Sequence, residues 1–279
     1  MGERVNTLTG RSNRENPFGH QVNASPFNFD NPSQLIKSLQ GAKTLYNTYW
    51  IRFPHGQVTF DRAVENTKTL IKAAEEAGVR RMVHISITNP SEESPFPYFR
   101  GKALLEEAIT RSKLSHAIVR PTVIFGTGSI LISNIAWLLK RFPIFAIPGS
   151  GEYRIQPVFV EDVAEIAVSA GHKDENMVID AVGPEIYSFN ELVRLIANKI
   201  HSRARIVHIR PGLVLLPAKL IGYAVKDVVL TRDEIDGLMA NLLVSEGTPT
   251  AQTRLSEWLE HNADSIGTKY ASELKRHYN

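Results

Sequence analysis

Tyr98-Phe99-Arg100-Gly101-Lys102 is the stretch of sequence that decides the fold of this chain. On a helix, a tyrosine and a lysine four residues apart lie on the same face, one turn from each other. An ammonium group close to a phenol lowers the pKa of the phenol, which suits Tyr98 for general acid–base chemistry on an alcohol or a carbonyl. The spacing alone is a weak signal, so its weight depends on the elements around it.

Apolar strands are predicted on both sides of this pair. Residues 82–86 precede it and end in a serine, and residues 117–121 follow it and end in Arg-Pro. Further upstream, residues 60–77 carry their apolar side chains on one stripe, which predicts a helix that ends at Gly78. Strands that alternate with helices through the first half of the chain predict an α/β fold with a doubly wound parallel sheet.

The second half of the chain has fewer predicted strands and more predicted helix. Capping-box patterns at 188–191 and 231–234 mark two helix starts. The segment 212–225 is strongly apolar and supports two interpretations, a surface for an apolar partner or a quinone-like tail, and the simpler one, a buried pair of helices. We therefore predict a smaller, largely helical subdomain after the main sheet.

Composition excludes several classes of function. The chain contains no cysteine, which excludes disulfides, thiol catalysis and cysteine-bound metals. Its nine histidines show no metal-binding spacing, and its net charge of +3 is dispersed, so we expect neither a metal site nor nucleic-acid binding. There is no signal-peptide pattern and no apolar run of about 18 residues, which favours a cytoplasmic protein without a transmembrane segment.

Together these motifs resemble the short-chain dehydrogenase/reductase superfamily, in its atypical and extended branch. The likeness is strongest to NmrA-like and epimerase/dehydratase-like proteins, a group that includes an NADPH-binding accessory subunit of respiratory complex I. The resemblance implies a Rossmann-like NAD(P)-binding domain over residues 1–125. It also implies a C-terminal part over residues 126–279, with the remaining strands and a substrate or partner subdomain. The segments that carry it are 64–67, 79–86, 98–102, 120–123 and 156–164.

The resemblance implies a role for each of three candidate catalytic residues. Tyr98 would be the acid–base, Lys102 would hold ribose hydroxyls and lower the pKa of Tyr98, and Ser86 would hydrogen-bond the substrate oxygen. The alternatives are a tyrosine packed in a cleft, a solvated lysine and a serine that caps a loop. Ser86 and Tyr98 are 12 positions apart (98 − 86), which is short for the extended members and favours an atypical one.

Two arginines bear on the choice of cofactor. Arg11 and Arg14 follow the predicted strand Val5–Thr9, where an acid would bind the ribose 2′-hydroxyl and arginine instead suits a 2′-phosphate. We therefore favour NADP(H) over NAD(H). The other positions that the resemblance implies for cofactor binding are Asp30, Asn47, Thr48, Asn66, Pro121, Thr122 and Val123, together with Lys102.

The front of the family pattern is missing from this sequence. No G-x-G-x-x-G motif occurs, and the chain opens on what reads as the family's second strand. We expect this strand and the predicted strand at 27–30 to be separated from the rest of the sheet. The reason is that the family's first strand, which would lie between these two strands and the rest, is absent. We also expect the native chain to start about 25–30 residues earlier, the usual length of a strand, a turn and a helix.

The sequence leaves two classes of function open. The first is an NADP(H)-dependent oxidoreductase or epimerase acting on an alcohol or carbonyl substrate that the sequence does not identify, which the Tyr-x3-Lys spacing favours. The second is a non-catalytic nucleotide-binding scaffold or complex I-associated subunit with a protein partner, or an inactive fragment. The missing glycine loop and the short serine–tyrosine separation favour the second.

Overall fold

The computed structural model describes residues 4–10 and 19–277. Its strands are β1 (Val5–Thr9), β2 (Val22–Pro26), β3 (Thr44–Asn47), β4 (Arg81–Ile85), β5 (Ser115–Pro121), β6 (Val123–Phe125), β7 (Ile144–Pro148), β8 (Arg154–Ile155), β9 (Pro157–Phe159), β10 (Met177–Ala181), β11 (Tyr187–Ser188) and β12 (Arg205–Ile209). Its α-helices are α1 (Pro32–Leu39), α2 (Phe60–Glu76), α3 (Pro97–Thr110), α4 (Ile130–Arg141), α5 (Val160–Gly171), α6 (Phe189–Lys199), α7 (Pro211–Val225), α8 (Arg232–Met239), α9 (Leu255–Asn262) and α10 (Glu273–His277).

Four parallel strands form the central sheet, in the order β10-β5-β4-β3. Successive residues of a strand point to opposite faces, and β4 shows the consequence. Met82 packs in a cluster with Leu70 of α2 and Ile109 of α3, whereas Val83 packs with Val163 of α5. Helices therefore cover both faces, and the predicted doubly wound α/β fold is confirmed.

The pair β1 and β2 forms a separate two-stranded parallel sheet, with Val5 opposite Val22 and Thr9 opposite Pro26. The expected separation of the strand Val5–Thr9 from the central sheet is confirmed. The strand predicted at 27–30 is wrong, because the strand lies earlier, in β2. The alternating Phe27 and Phe29 that suggested a strand instead stack on each other, with their ring centroids 5.0 Å apart.

The second half of the chain builds three small sheets, β6 with β9, β7 with β12, and β8 with β11. Their apolar faces and helices α4, α6 and α9 share one core cluster. Both capping boxes are confirmed at the starts of α6 and α8. The division at residue 125 stays a prediction, and β10 from the second half pairs with β5 of the first.

Helix α7 departs from the expected buried pair of helices. It is a single helix with Pro217 in its interior, and it buries Val214, Ala218 and Gly222. Its opposite face is exposed to solvent. Within the described ranges, none of the helices combines the length and the apolarity that crossing a bilayer requires.

Candidate functional site

The candidate site lies where three parallel strands of the central sheet end. Asn47 is the last residue of β3, Ser86 directly follows β4, and Pro121 is the last residue of β5. All three residues are buried. Ligands of open α/β sheets bind outside the carboxyl ends of the strands, so the fold brings these predicted residues to one edge.

Lys102 reaches this edge from α3. Its Nζ donates a hydrogen bond to the carbonyl oxygen of Ile85 over 2.7 Å and lies 4.8 Å from the ring centroid of Trp50. The side chain is buried, and burial lowers its pKa to about 7, although the carboxylate of Glu106 acts in the opposite direction. The lysine is therefore a buried amine bound to the end of β4 and not a solvated surface charge.

Tyr98 is half-buried in the first turn of α3, among aromatic rings. Its ring centroid lies 5.8 Å from that of Trp50 and 5.7 Å from that of Phe99, both in edge-on geometry. Phe60 adds a third edge-on contact at 6.1 Å. The tyrosine is thus one member of an aromatic cluster that covers the start of the helix.

The pKa of Tyr98 moves in the direction opposite to the one expected from the sequence. Burial raises it, and the carboxylates of Glu273 and Glu234 raise it further, while Arg52 acts to lower it. The expected lowering by Lys102 is therefore wrong in this structure. The reason is that desolvation opposes the phenolate, and the charges that act on the ring are dominated by acids.

Ser86 belongs to a buried network that the sequence did not reveal. Its Oγ donates to Oε1 of Glu106 over 2.5 Å, and Arg120 donates from Nε to both oxygens of the same carboxylate, over 3.0 and 3.2 Å. Glu106 lies four residues after Lys102 on the buried face of α3, which is the spacing that could have indicated it. Because a hydroxyl has a single proton to donate, the proton of Ser86 is already used.

Asn47 connects β3 to β4 through His84. Oδ1 of Asn47 accepts the backbone N–H of Tyr49 over 3.1 Å, so its Nδ2 is the donor to Nδ1 of His84 over 2.9 Å. The proton of His84 must then lie on Nε2, and burial lowers the pKa of this ring well below its ordinary value, with Lys102 adding to the effect. Asn66 joins the same region by donating to Oη of Tyr49 over 2.8 Å.

Other predicted cofactor residues do not converge on this cluster. Thr48 is exposed, and Asp30 is exposed and bound to Arg62 over 3.3 Å. Thr122 is buried and donates to the carbonyl of Gln156, and Val123 begins β6. Arg11 and Arg14 lie outside the described residues.

Arg52, in the loop after β3, is held in a partly buried ion pair. Its Nε donates to Oε1 of Glu234 over 2.5 Å, and its Nη2 donates to the carbonyl oxygen of Val229. This contact joins the loop after β3 to α8 from the second half of the chain. The loop that carries Trp50 therefore contacts α3 through Trp50 and α8 through Arg52.

Gly101 allows the indole of Trp50 to lie directly on α3. A Cβ atom at position 101 would be 2.6 Å from Cη2 and 3.1 Å from Cζ2 of that indole, inside van der Waals contact. Any larger residue would displace the ring that covers Lys102. The close contact explains why a glycine occupies this position in the helix interior, although glycine has a low helix propensity.

Gly101→Ala is expected to destabilise the protein by about 1–2 kcal/mol, because overpacking outweighs the gain in helix propensity. Gly237→Ala in α8 is the matched control, since its Cβ would lie 3.6 Å from Phe99, an ordinary contact. We expect the control to be neutral or stabilising by up to about 1 kcal/mol. Urea denaturation of both variants measures the difference, and equal stabilisation of both would show that Trp50 does not lie against α3.

The architecture and this strand-end cluster define the class, a Rossmann-like α/β protein of the nucleotide-binding type. Residues 8–128 match the NAD(P)H-binding family. The chain is 29% identical over 251 residues to mitochondrial NADH dehydrogenase (ubiquinone) 1 alpha subcomplex subunit 9 of Mus musculus, covering 87% of this chain and 64% of that protein. It is 26% identical to the subunit of the same name from Arabidopsis thaliana, covering 64% of this chain and 47% of that protein. The chain thus spans about half to two thirds of the length of these curated relatives.

Solved structures show the same fold. The triphenylmethane reductase of Citrobacter sp. superposes with a TM-score of 0.70 at 15% identity, covering 93% of this chain and 99% of that chain. A nucleoside-diphosphate-sugar epimerase of Staphylococcus aureus superposes with a TM-score of 0.69 at 12% identity, covering 91% and 90%. The predicted likeness to NAD(P)H-binding reductases and epimerases is thus confirmed at the level of the fold, and residues 8–128 are similar to the NAD(P)H-binding family.

The donors at the strand ends fit the ribose of such a nucleotide. Among the described residues, Nζ of Lys102 has one hydrogen-bond acceptor, the carbonyl of Ile85, and so retains donor capacity. Nε2 of His84 and Nε1 of Trp50 are buried nearby without a hydrogen-bond partner in the described part of the chain. Buried donors of this kind are normally paired, so a hydroxyl-bearing ligand at this edge would satisfy them.

Proposed function

We propose that this protein is an NAD(P)H-binding subunit of a larger protein assembly, which holds the nucleotide without turning it over. One observation carries the proposal, the donation of the single Ser86 proton to the buried carboxylate of Glu106. A serine that polarised a substrate carbonyl would have to donate that proton to the substrate oxygen. The raised pKa of Tyr98 supports the same conclusion, because a phenol that resists ionisation is a poor general base near neutral pH.

The nucleotide would lie at the carboxyl edge of the central sheet. Lys102 would donate to ribose hydroxyls, and His84 and Asn66, which hydrogen-bond to Asn47 and Tyr49 respectively, would help to orient the sugar. A bound reduced nicotinamide would carry a transferable hydride at its C4 carbon, which the proposed subunit would hold without transferring it. The preference for NADP(H) over NAD(H) rests on Arg11 and Arg14 and is part of the proposal.

The relatives support the kind of partner. Both curated relatives named above are subunits of a mitochondrial NADH dehydrogenase. We therefore propose that the partner is an NADH dehydrogenase of this type. Their names also make the mitochondrion an alternative to the cytoplasm favoured by the sequence, and fractionation of the source cells with a marker for each compartment would decide between the two.

An oxidoreductase or epimerase is the second candidate. Tyr98 and Lys102 lie one turn apart on α3, the arrangement that acid–base chemistry on an alcohol or carbonyl uses. In that case the pKa of Tyr98 would have to fall once ligands replace its present surroundings. Ser86 would have to exchange its partner Glu106 for the substrate.

Tyr98→Phe separates the two functions. If the protein holds the nucleotide without chemistry, we expect the variant to bind NADPH within about twofold of wild type and to leave any slow background oxidation unchanged. Titration of NADPH and NADH fluorescence measures binding, and absorbance at the nicotinamide band measures turnover with carbonyl substrates. Tyr223→Phe is the control, because Tyr223 is 89% exposed on α7.

A wild-type protein that reduced a carbonyl substrate, with a Tyr98→Phe variant that lost this activity and kept NADPH binding, would establish the oxidoreductase instead. Failure of the wild type to bind either nucleotide would contradict both functions. Recovery of NADH dehydrogenase subunits with tagged wild-type protein, tested on native gels of the source cells, is the expected result for the partner.

A further inference from the structure

The outer face of α7 carries an uninterrupted apolar stripe. Leu213, Leu216, Leu220 and Tyr223 are 53%, 63%, 74% and 89% exposed. Their spacing of three, four and three residues puts them on one side of the helix, opposite the buried Val214, Ala218 and Gly222. Four of the twelve large hydrophobic side chains that are exposed among the described residues lie on this one helix, so the patch is concentrated and not a scatter of single residues.

A helix that is apolar on both faces normally has apolar material on both sides. The inner face of α7 packs on the protein, whereas the outer stripe faces solvent in the described structure. The helix has 15 residues and is about 22 Å long, which is shorter than the roughly 30 Å hydrocarbon core of a bilayer. It can lie in the interface of a membrane but cannot cross one.

The charged residues next to the stripe in the sequence, from residue 192 to the end of α7, are all basic. Residues 192–226 contain seven lysines and arginines and no aspartate or glutamate. Arg210 precedes α7, Lys226 follows it, and Lys219 is exposed on the helix beside the stripe. Within the described part of the chain, none of these three takes part in a salt bridge.

We infer that α7 docks this protein on a membrane surface that bears anionic phospholipids. Leu213, Leu216, Leu220 and Tyr223 would enter the boundary between headgroups and acyl chains, while Arg210, Lys219 and Lys226 contact lipid phosphates. An apolar stripe on a helix with basic residues at both ends and beside the stripe is the pattern of an interfacial helix.

Vesicle flotation of the full-length protein tests this docking surface. We expect wild type to float with vesicles of phosphatidylcholine and phosphatidylglycerol and to bind vesicles of phosphatidylcholine alone at least tenfold less. Leu216→Glu/Leu220→Glu is expected to reduce binding at least tenfold, because each charged side chain would have to enter the apolar boundary. Arg210→Gln/Lys219→Gln is expected to reduce binding about fivefold for each charge removed.

Val168→Glu/Val178→Glu is the matched control, since Val168 and Val178 are 50% and 52% exposed on other elements. Its binding should equal that of wild type, and circular dichroism verifies that each variant is folded. Equal binding by the leucine variant, or equal binding to neutral and anionic vesicles, would overturn the inference. So would a wild type that does not float but forms a dimer dissociated by the leucine variant, which would assign the stripe to a second copy of the chain.

Discussion

Lys102→Met is expected to remove a pH-dependent part of the stability of this protein. Burial lowers the pKa of Lys102 from 10.5 to about 7. Between these values the unfolded chain keeps a proton that the folded protein has released, so stability rises with pH and is lost as the pH falls toward 7. Below about pH 7 both states bind the proton, and the contribution of Lys102 no longer varies.

The size of the effect follows from the pKa. The free energy of unfolding of wild type, relative to that of Lys102→Met, should increase by about 1.4 kcal/mol for each pH unit above pH 7. The total increase between pH 7 and roughly pH 9.5 should be about 3 kcal/mol. At pH 6 the variant should be the more stable protein. It no longer buries an ammonium, although it gives up the hydrogen bond to the Ile85 carbonyl.

Chemical denaturation at a series of pH values measures this difference. Lys72→Met is the matched control, because Lys72 is exposed on the neighbouring α2. Its pH profile should run parallel to that of wild type. A Lys102→Met profile that also ran parallel to wild type would show that the ammonium of Lys102 is solvated in the folded protein.

Glu106→Gln is expected to lower the free energy of unfolding by about 3 kcal/mol. The glutamine has nearly the same shape but leaves the guanidinium of Arg120 without a carboxylate in a mostly buried place. Breaking a buried ion pair costs about 3–5 kcal/mol, and the 31% exposure of the Arg120 side chain puts the effect at the lower end of that range. The Ser86 hydroxyl also loses its charged acceptor.

Glu107→Gln is the control from the next position on the same helix. Glu107 forms a surface ion pair with Arg111 over 2.8 Å, with side chains 39% and 77% exposed, so its removal should cost less than about 0.5 kcal/mol. Thermal and urea unfolding of both variants give the comparison. A loss of less than about 1 kcal/mol in Glu106→Gln would show that the network around Ser86 is open to water, which would remove the main argument against catalysis.

Local patterns in the sequence predicted much of this architecture. The period of apolar residues in α2 and the capping boxes of α6 and α8 depend on residues within two turns of one another, so they can be read directly. The positions of Tyr98 and Lys102 on α3 follow from the same short-range geometry. The convergence of Asn47, Ser86 and Pro121 required one further rule, that parallel strands end at the same edge of a sheet.

The surroundings of the candidate site could not be predicted in this way, because they depend on residues far apart in the chain. The bond from Arg52 to Glu234 joins residues 182 positions apart and helps to hold the Trp50 loop. The acids that oppose ionisation of Tyr98 come from α8 and α10. Phe27 and Phe29 suggested a strand because side chains two residues apart lie on the same face of a strand. In the structure the two rings also lie side by side, but they stack outside any strand.

The sequence by itself determined the fold class, the placement of Tyr98 and Lys102 on one helix face, and the exclusion of cysteine chemistry, since each depends on residue type and short spacing. Only the tertiary structure decided that Ser86 donates its proton to Glu106, that Trp50 covers Lys102, and that the apolar α7 exposes one of its faces. The physical reason is that hydrogen-bond partners and desolvation are set by which distant segments pack together, and packing also decides which side of an apolar helix remains in contact with solvent.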